Sequence, residues 1–159
     1  MKQFLKFSGL IALGLALVGF ILMMATPAIK YNGNTVADGT DVIFGKTMYG
    51  QQILKLSVLD LFAWILVLLG MLALVFVTIL MFAKKDLYAK LGNLFGIIVA
   101  IAFILAAVFM FFTIPTFFSA NGGGNVPDGT TLGVGWIIGA ILIILAGGLS
   151  LLPVIMKKK

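Results

Sequence analysis

The chain has 159 residues, of which 62% are hydrophobic and 10% are charged, whereas a soluble domain is about half apolar and about a quarter charged. So much apolar surface excludes a soluble fold and requires lipid as the surrounding solvent. The charged residues are lysines and aspartates with a net charge of +6, and the absence of cysteine and histidine excludes disulfides, thiolate metal sites and the commonest catalytic base.

Four segments are long and apolar enough to cross a membrane, which takes about 20 mostly apolar residues. We therefore predict an all-α membrane protein with a single domain: a four-transmembrane-helix bundle with a small β-prone extracellular loop cap. The predicted spans are about 4–25, 58–83, 91–113 and 132–156, and the two longer, outer loops are about 26–57 and 114–131.

The lysines predict the orientation, because cytoplasmic flanks of membrane helices carry the excess of basic residues. We therefore expect a multi-pass protein of the plasma membrane with both termini cytoplasmic. Because these lysines lie at membrane edges, they predict contact with membrane lipids and no nucleic-acid partner. The lysines on the predicted cytoplasmic side are Lys2, Lys6, Lys84, Lys85, Lys90, Lys157, Lys158 and Lys159.

The first span has a second interpretation, because Lys2 and Lys6 followed by an apolar run are also typical of a signal peptide. The run is longer than the apolar core of a signal peptide, which has about 7–15 residues. The stretch "ATPA" at 25–28 is also a poor cleavage site, since it contains Pro27. We therefore expect the first helix to be retained.

The first outer loop contains β-prone runs on either side of Asp38, and its "YNGN" stretch at 31–34 is a hairpin signal. We predict a small sheet of two or three strands on the outer face. Because an isolated hairpin is marginally stable in water, this sheet has to pack on the second outer loop or on a partner.

Two polar residues begin the second span, Ser57 and Asp60. A carboxylate inside a membrane span is typical of an ion path, a proton relay or a substrate contact. However, "SVLD" at 57–60 also has the form of a capping box, in which Ser57 caps the helix and Asp60 lies at the positive end of the helix dipole. We favour the cap and keep transport as the alternative.

Stripes of small residues mark the third and fourth spans. They consist of Gly92, Gly96 and Ala100 on the third span and of Gly135 and Gly139 on the fourth. Small residues let helix backbones approach closely, which drives helix association in lipid. The stripes predict packing within the bundle or, as the alternative, contact with another copy or subunit.

The phrase Asp-Gly-Thr occurs twice, beginning at Asp38 and at Asp128. Asp-Gly is a strong turn signal, so Asp38 with Gly39 and Asp128 with Gly129 predict two outer turns. The two phrases also favour a duplicated hairpin of two spans, with the copies related by an axis along the membrane normal. A calcium site using the nearby aspartates is the weaker alternative, because their spacing does not match an EF-hand loop.

The layout of four spans, cytoplasmic ends and a longer, β-prone first outer loop resembles the claudin-like tetraspan topology. The claudin signature of a Trp and paired Cys in the first outer loop is absent, so the resemblance implies topology only, and a barrier or paracellular-pore function is not carried over. The "IFG" stretch at 43–45 is similar to the uncharacterised small four-span membrane proteins of low-GC bacteria, a resemblance that implies no activity.

No arrangement of nucleophile and base, paired aspartates or metal ligands for catalysis stands out. We therefore expect no enzyme activity and no cofactor. The sequence instead predicts an accessory, scaffolding or self-associating membrane protein, whose partner is another membrane protein or further copies of itself in a homo-oligomer. It would use the outer loops and the glycine-lined helix faces. The alternative is a small-solute or ion channel or transporter using Asp60.

Overall fold

A computed structural model describes residues 2–83 and 85–156 of the chain. Most of the lysines that predict the orientation lie outside the described residues, or their side chains do. Lys84, Lys157, Lys158 and Lys159 are outside altogether, as are the side chains of Lys2, Lys6 and Lys85. The predicted cytoplasmic placement of both termini therefore stays a prediction.

The described residues form four long helices, two short helices and five short strands. Four of the helices are long and apolar enough to cross a membrane, as predicted, and they indicate a multi-pass membrane protein. In chain order the elements are α1 (Lys2–Ala25), β1 (Pro27–Tyr31), β2 (Asn34–Asp38), α2 (Gly39–Phe44), β3 (Lys46–Met48), β4 (Gln51–Leu54), α3 (Val58–Ala83), α4 (Lys85–Phe111), α5 (Thr113–Asn121), β5 (Thr130–Leu132) and α6 (Val134–Met156).

The four long helices pack in a ring in the order α1, α6, α4 and α3, and the contact of α3 with α1 that closes the ring is less extensive than the other three. Small residues permit the close approaches. A Cβ atom on Gly19 of α1 would lie 2.9 Å from the carbonyl oxygen of Gly139 of α6. Gly70 of α3 leaves the space that the ring of Phe103 of α4 fills, and Phe103 is fully buried. Large apolar side chains cover the outside of the bundle, as expected for helices in lipid.

Residues 26–57 and 112–133 form a compact cap at one end of the bundle. Its three-stranded sheet has the order β2-β1-β5, with both pairs antiparallel. Ala28, Ile29 and Ala37 are fully buried beneath this sheet. The predicted small sheet is therefore present, and β5 shows that it incorporates the second outer loop.

A second, two-stranded sheet consists of β3 and β4, which form an antiparallel hairpin just before α3. The side chain of Asn121, at the end of α5, fastens the base of this hairpin. Its Oδ1 accepts a hydrogen bond from the backbone N–H of Lys55 at 2.6 Å, and its Nδ2 donates to the backbone oxygen of Lys55 at 3.0 Å. The second loop thus supports both sheets.

Two short helices are absent from the sequence prediction, which gives the outer loops β-strands and turns. Helix α2 begins directly after Asp38, where the sequence predicts a turn. Helix α5 begins at Thr113, so that the third span ends at Phe111 and is followed by a separate helix. Pro115 lies in the first turn of α5, where the missing N–H of proline costs no helical hydrogen bond.

The two Asp-Gly-Thr phrases consequently fold differently. The first leads from β2 into α2, whereas the second forms a turn that leads into β5. The two outer loops therefore do not repeat one another in structure, although each joins two long helices. A duplicated hairpin stays a prediction that rests on the sequence.

Candidate functional site

Asp60 lies in the first turn of α3 at the cap end of the bundle, and its side chain is fully buried. The hydroxyl oxygen of Thr113 lies 2.6 Å from Asp60 Oδ1 and 2.7 Å from the backbone oxygen of Met110. The indole N–H of Trp136 donates to the same backbone oxygen at 2.9 Å. These contacts join α3, α5, α4 and α6 around one buried carboxyl group.

Ser57 directly precedes α3, at the position that the capping prediction requires. Its backbone N–H donates to the oxygen of Val42 at 2.8 Å, and its backbone oxygen accepts from Leu61 at 3.0 Å. Its hydroxyl, however, lies 3.0 Å from the hydroxyl of Thr116 on α5. The structure therefore connects the start of α3 to the second outer loop through side chains that are 59 positions apart.

The second carboxyl oxygen of Asp60, Oδ2, has no hydrogen-bond partner among the described residues. Its place in the first turn of α3 is favourable for negative charge at the positive end of the helix dipole. Complete burial with an unpartnered oxygen is instead typical of a functional carboxyl group. The cap and transport interpretations of Asp60 both stay predictions.

A small cavity of about 20 Å³ lies between the long helices at the end opposite the cap, and Asp60 does not line it. Ser8, Thr78, Tyr88 and Ser150 contribute hydroxyl groups to its wall. A space of this size holds about one water molecule.

Most of the predicted small-residue stripes pack inside the bundle. A Cβ atom on Gly96 of α4 would lie 3.0 Å from the backbone oxygen of Ser150 of α6, and Ala100 is 2% exposed. A Cβ on Gly135 of α6 would lie 2.5 Å from Thr26, just beyond α1, and one on Gly139 would meet α1 itself. Gly92 lies beside the ring of Tyr88 on its own helix and lines the cavity.

The two glycines of the repeated phrase serve different geometries. Gly39 lies so close to the end of α1 that a Cβ atom would overlap the carbonyl oxygen of Met23. Gly129 instead has a φ of +89°, in a turn that the Thr130 N–H closes by donating to Pro127 at 3.2 Å. Close approach requires the first glycine, and backbone conformation requires the second.

The aspartates of the weaker calcium hypothesis are not brought together. Asp41 Oδ2 accepts hydrogen bonds from the backbone N–H of Asp38 at 3.4 Å and from Lys46 Nζ at 2.9 Å. The hydrogen bond to Asp41, with the attraction of its charge, raises the pKa of Lys46. Asp128 lies in the turn of the second loop, and the described part of the chain contains no cluster of acidic or other ligands that could hold a metal ion.

The turn of the β3–β4 hairpin carries a residue that the sequence analysis does not single out. Tyr49 is 99% exposed and has a φ of +53°, followed by Gly50 at +77°. In the β1–β2 hairpin, the corresponding turn residues are Asn32 at +47° and Gly33 at +82°. The signal available in the sequence is the residue-Gly pair between two β-prone runs, which "MYGQ" at 48–51 shares with "YNGN".

Comparison of the chain with protein-family models, curated proteins and solved structures finds no match in any of the three. The resemblance to the claudin-like layout is therefore limited to the four apolar helices that the structure contains.

Proposed function

We propose that this protein is a non-catalytic accessory subunit of the plasma membrane, which docks another membrane protein through the β3–β4 hairpin of its cap. The observation that carries the proposal is the conformation and exposure of Tyr49. The lysine distribution supports a cap that faces outward, where it is accessible to the outer domain of a neighbouring membrane protein.

The backbone strain at Tyr49 is not offset by burial of its side chain in the folded chain. A non-glycine residue other than Asn or Asp in the left-handed region costs about 1–2 kcal/mol, and Asn or Gly is preferred at both central positions of this turn type. A tyrosine that is 99% exposed gains almost no burial in return. Backbone strain without a structural benefit favours a role outside the folded chain.

The neighbours of Tyr49 on the hairpin fit a protein contact. Met48 is 44% exposed and Ile53 is 54% exposed, so the hairpin presents three large apolar or aromatic side chains beyond the spans. Tyrosine is enriched among the residues that dominate binding energy at interfaces, because its ring adds contact area and its hydroxyl a hydrogen bond. The small-residue stripes, in contrast, are occupied within the bundle and support a partner less well.

The test is the mass and composition of the complex extracted in polymer nanodiscs. We expect a second membrane protein in fixed stoichiometry with the wild-type chain. Tyr49→Asn should keep the fold and lose that partner, whereas the matched control Asn32→Gly, in the turn of the other hairpin, should retain it. A homogeneous homo-oligomer or a lone monomer would contradict the accessory function, and a Tyr49→Asn variant that retains its partner would contradict the hairpin contact.

Transport through Asp60 is a second proposal, favoured by the buried carboxyl group with its unpartnered Oδ2. Its test is the flux of ions and small solutes into proteoliposomes. Flux that disappears in Asp60→Asn would support transport, and flux that survives the substitution would exclude Asp60 from the path.

A further inference from the structure

We infer that Asp60 is a proton-binding site, in which the carboxyl group carries a proton in the folded protein and donates it in a hydrogen bond to Thr113. The inference rests on the number of hydrogens that the local contacts require. It depends on neither the docking proposal nor the transport proposal, since it concerns the resting state of one side chain.

The Thr113 hydroxyl has two acceptors within short reach and a single hydrogen. Its oxygen lies 2.6 Å from Asp60 Oδ1 and 2.7 Å from the backbone oxygen of Met110. A hydroxyl donates one hydrogen and accepts through its lone pairs, and a carboxylate can only accept. If Asp60 were ionised, two acceptor oxygens would compete for the one hydrogen of Thr113, and one of the two short contacts would have no hydrogen in it.

A proton on Asp60 Oδ1 supplies the missing hydrogen. The carboxyl O–H then donates to Thr113, and the Thr113 hydroxyl donates onward to the Met110 oxygen, which also accepts from Trp136 at 2.9 Å. Every donor in this series of hydrogen bonds then has an acceptor. Oδ2 becomes the carbonyl oxygen of a neutral acid, and leaving such an oxygen unpartnered costs less than leaving half of a buried carboxylate unpartnered.

Among the residues that the structure describes, no lysine forms an ion pair with Asp60. Helices α5 and α6, both described throughout, contain no ionisable residue, and α3 contains none besides Asp60. From α2, Asp41 is already paired with Lys46. Lys55, on the segment before α3, is exposed. The ionisable residues of α4 and α1 lie in the first two turns of these helices, at the opposite end of the bundle: Lys85, Asp86, Tyr88, Lys90, Lys2 and Lys6.

This proton has a structural consequence at the cap end of the bundle. With the proton in place, a continuous set of hydrogen bonds runs from α3 through Thr113 of α5 to Met110 of α4 and Trp136 of α6. Without it, Thr113 can satisfy Asp60 or Met110, and the buried charge has only the neighbouring hydroxyls of Ser57, Thr113 and Thr116 as polar groups, without a counter-ion among the described residues. The hydrogen-bonded connection from Asp60 of α3 to α4 and α6 at the cap end therefore depends on a bound proton.

Infrared spectroscopy of the intact protein in nanodiscs tests the inference directly, through the carbonyl stretch of a protonated carboxyl group. The chain has five acidic side chains, all of them aspartates, and the other four lie in the cap or at the start of α4. Labelling aspartate with ¹³C at the side-chain carboxyl carbon separates this band from lipid esters and from the terminal carboxylate. We expect one isotope-sensitive protonated band at neutral pH in the wild type and its loss in Asp60→Asn.

Asp60→Asn is suited to the test because an amide N–H can donate to Thr113 in place of the carboxyl O–H. A second pair of variants covers the case in which Asp60→Asn does not fold. Thr113→Val should shift the protonated band to the higher frequency of a weaker hydrogen bond, and Thr113→Ser should leave it in place. The absence of a protonated band in the wild type would overturn the inference, as would a band that persists in Asp60→Asn or that does not shift in Thr113→Val.

Discussion

The two hairpins of the cap have similar turns and opposite relations to the rest of the molecule. In the β1–β2 hairpin, β1 pairs with β5, and Ala28, Ile29 and Ala37 are buried. Most residues of the β3–β4 hairpin are exposed, and it is fastened at its base by Asn121 and by the pairing of Lys46 with Asp41. One hairpin is part of the protein interior, and the other projects from it.

The turn residues of the two hairpins differ in how well they suit their backbone conformation. Asn32 suits its positive φ, since asparagine tolerates the left-handed region, and its backbone N–H donates to Gly129 of the second loop at 3.2 Å. Tyr49 adopts the same conformation with an unsuited side chain and 99% exposure. The first turn is optimised for folding, whereas the second presents a side chain at a cost to folding, which is the basis for assigning it the docking role.

Matched isoleucines in the two hairpins should give the largest difference. Ile29 in β1 is fully buried and Ile53 in β4 is 54% exposed. We expect Ile29→Ala to lower the free energy of unfolding by about 2–5 kcal/mol, because it leaves a cavity beneath the sheet. Ile53→Ala should change it by about 0.5 kcal/mol or less. Unfolding in mixed detergent micelles measures both, and equal losses would show that both hairpins belong to the folding core.

Exchange of the turn residues should give a smaller effect, of opposite sign in the two hairpins. Tyr49→Asn places a favoured residue in the left-handed region, so we expect stability to rise by about 1 kcal/mol. Asn32→Tyr imposes the unfavourable residue on the other turn and should lower stability by about as much. Thermal unfolding of the two variants beside the wild type measures the shifts. A loss of stability in Tyr49→Asn would show that Tyr49 supports the fold.

Sequence patterns predicted the elements whose signals are local. Long apolar runs predicted the four helices, and Asn32 with Gly33 predicted the first hairpin. Helix α2 was missed because Asp38 and Gly39 indicate a turn, whereas Gly39 is required by its close approach to the end of α1. Helix α5 was missed because the prediction assigned all of 114–131 to an outer loop, although the Pro115 of this segment is tolerated in the first turn of a new helix.

The candidate site was predictable only in part, because only its local features leave a signal in the sequence. The start of α3 was predicted because the apolar run that follows Ser57 is a local signal, and the capping roles of Ser57 and Asp60 stay predictions. Their side-chain contacts with Thr116 and Thr113 join positions 59 and 53 apart, and no pattern along the chain encodes such a pairing. The strain at Tyr49 was likewise invisible, because exposure and backbone conformation depend on the folded cap.

The smallest effect should come from Lys46, whose ammonium group lies 2.9 Å from Asp41 and is screened by solvent. The contact raises the pKa of Lys46 above its ordinary 10.5. Its stabilisation is therefore complete below pH 10.5 and is lost as the pH rises through the folded-state value. We expect Lys46→Gln to loosen the β3–β4 hairpin at neutral pH and to abolish any further loosening by alkali.

A nitroxide label can follow this change, because the chain has no native cysteine to compete for it. With the label on Gln52→Cys in β4, its mobility should increase in Lys46→Gln at neutral pH and in the parent chain at strongly alkaline pH. A label on Val36→Cys in β2 is the control and should respond to neither change, since β1–β2 is held by the three-stranded sheet. Equal responses at the two positions would mean that the hairpins move as one unit, and the contrast between a buried and a projecting hairpin would not hold.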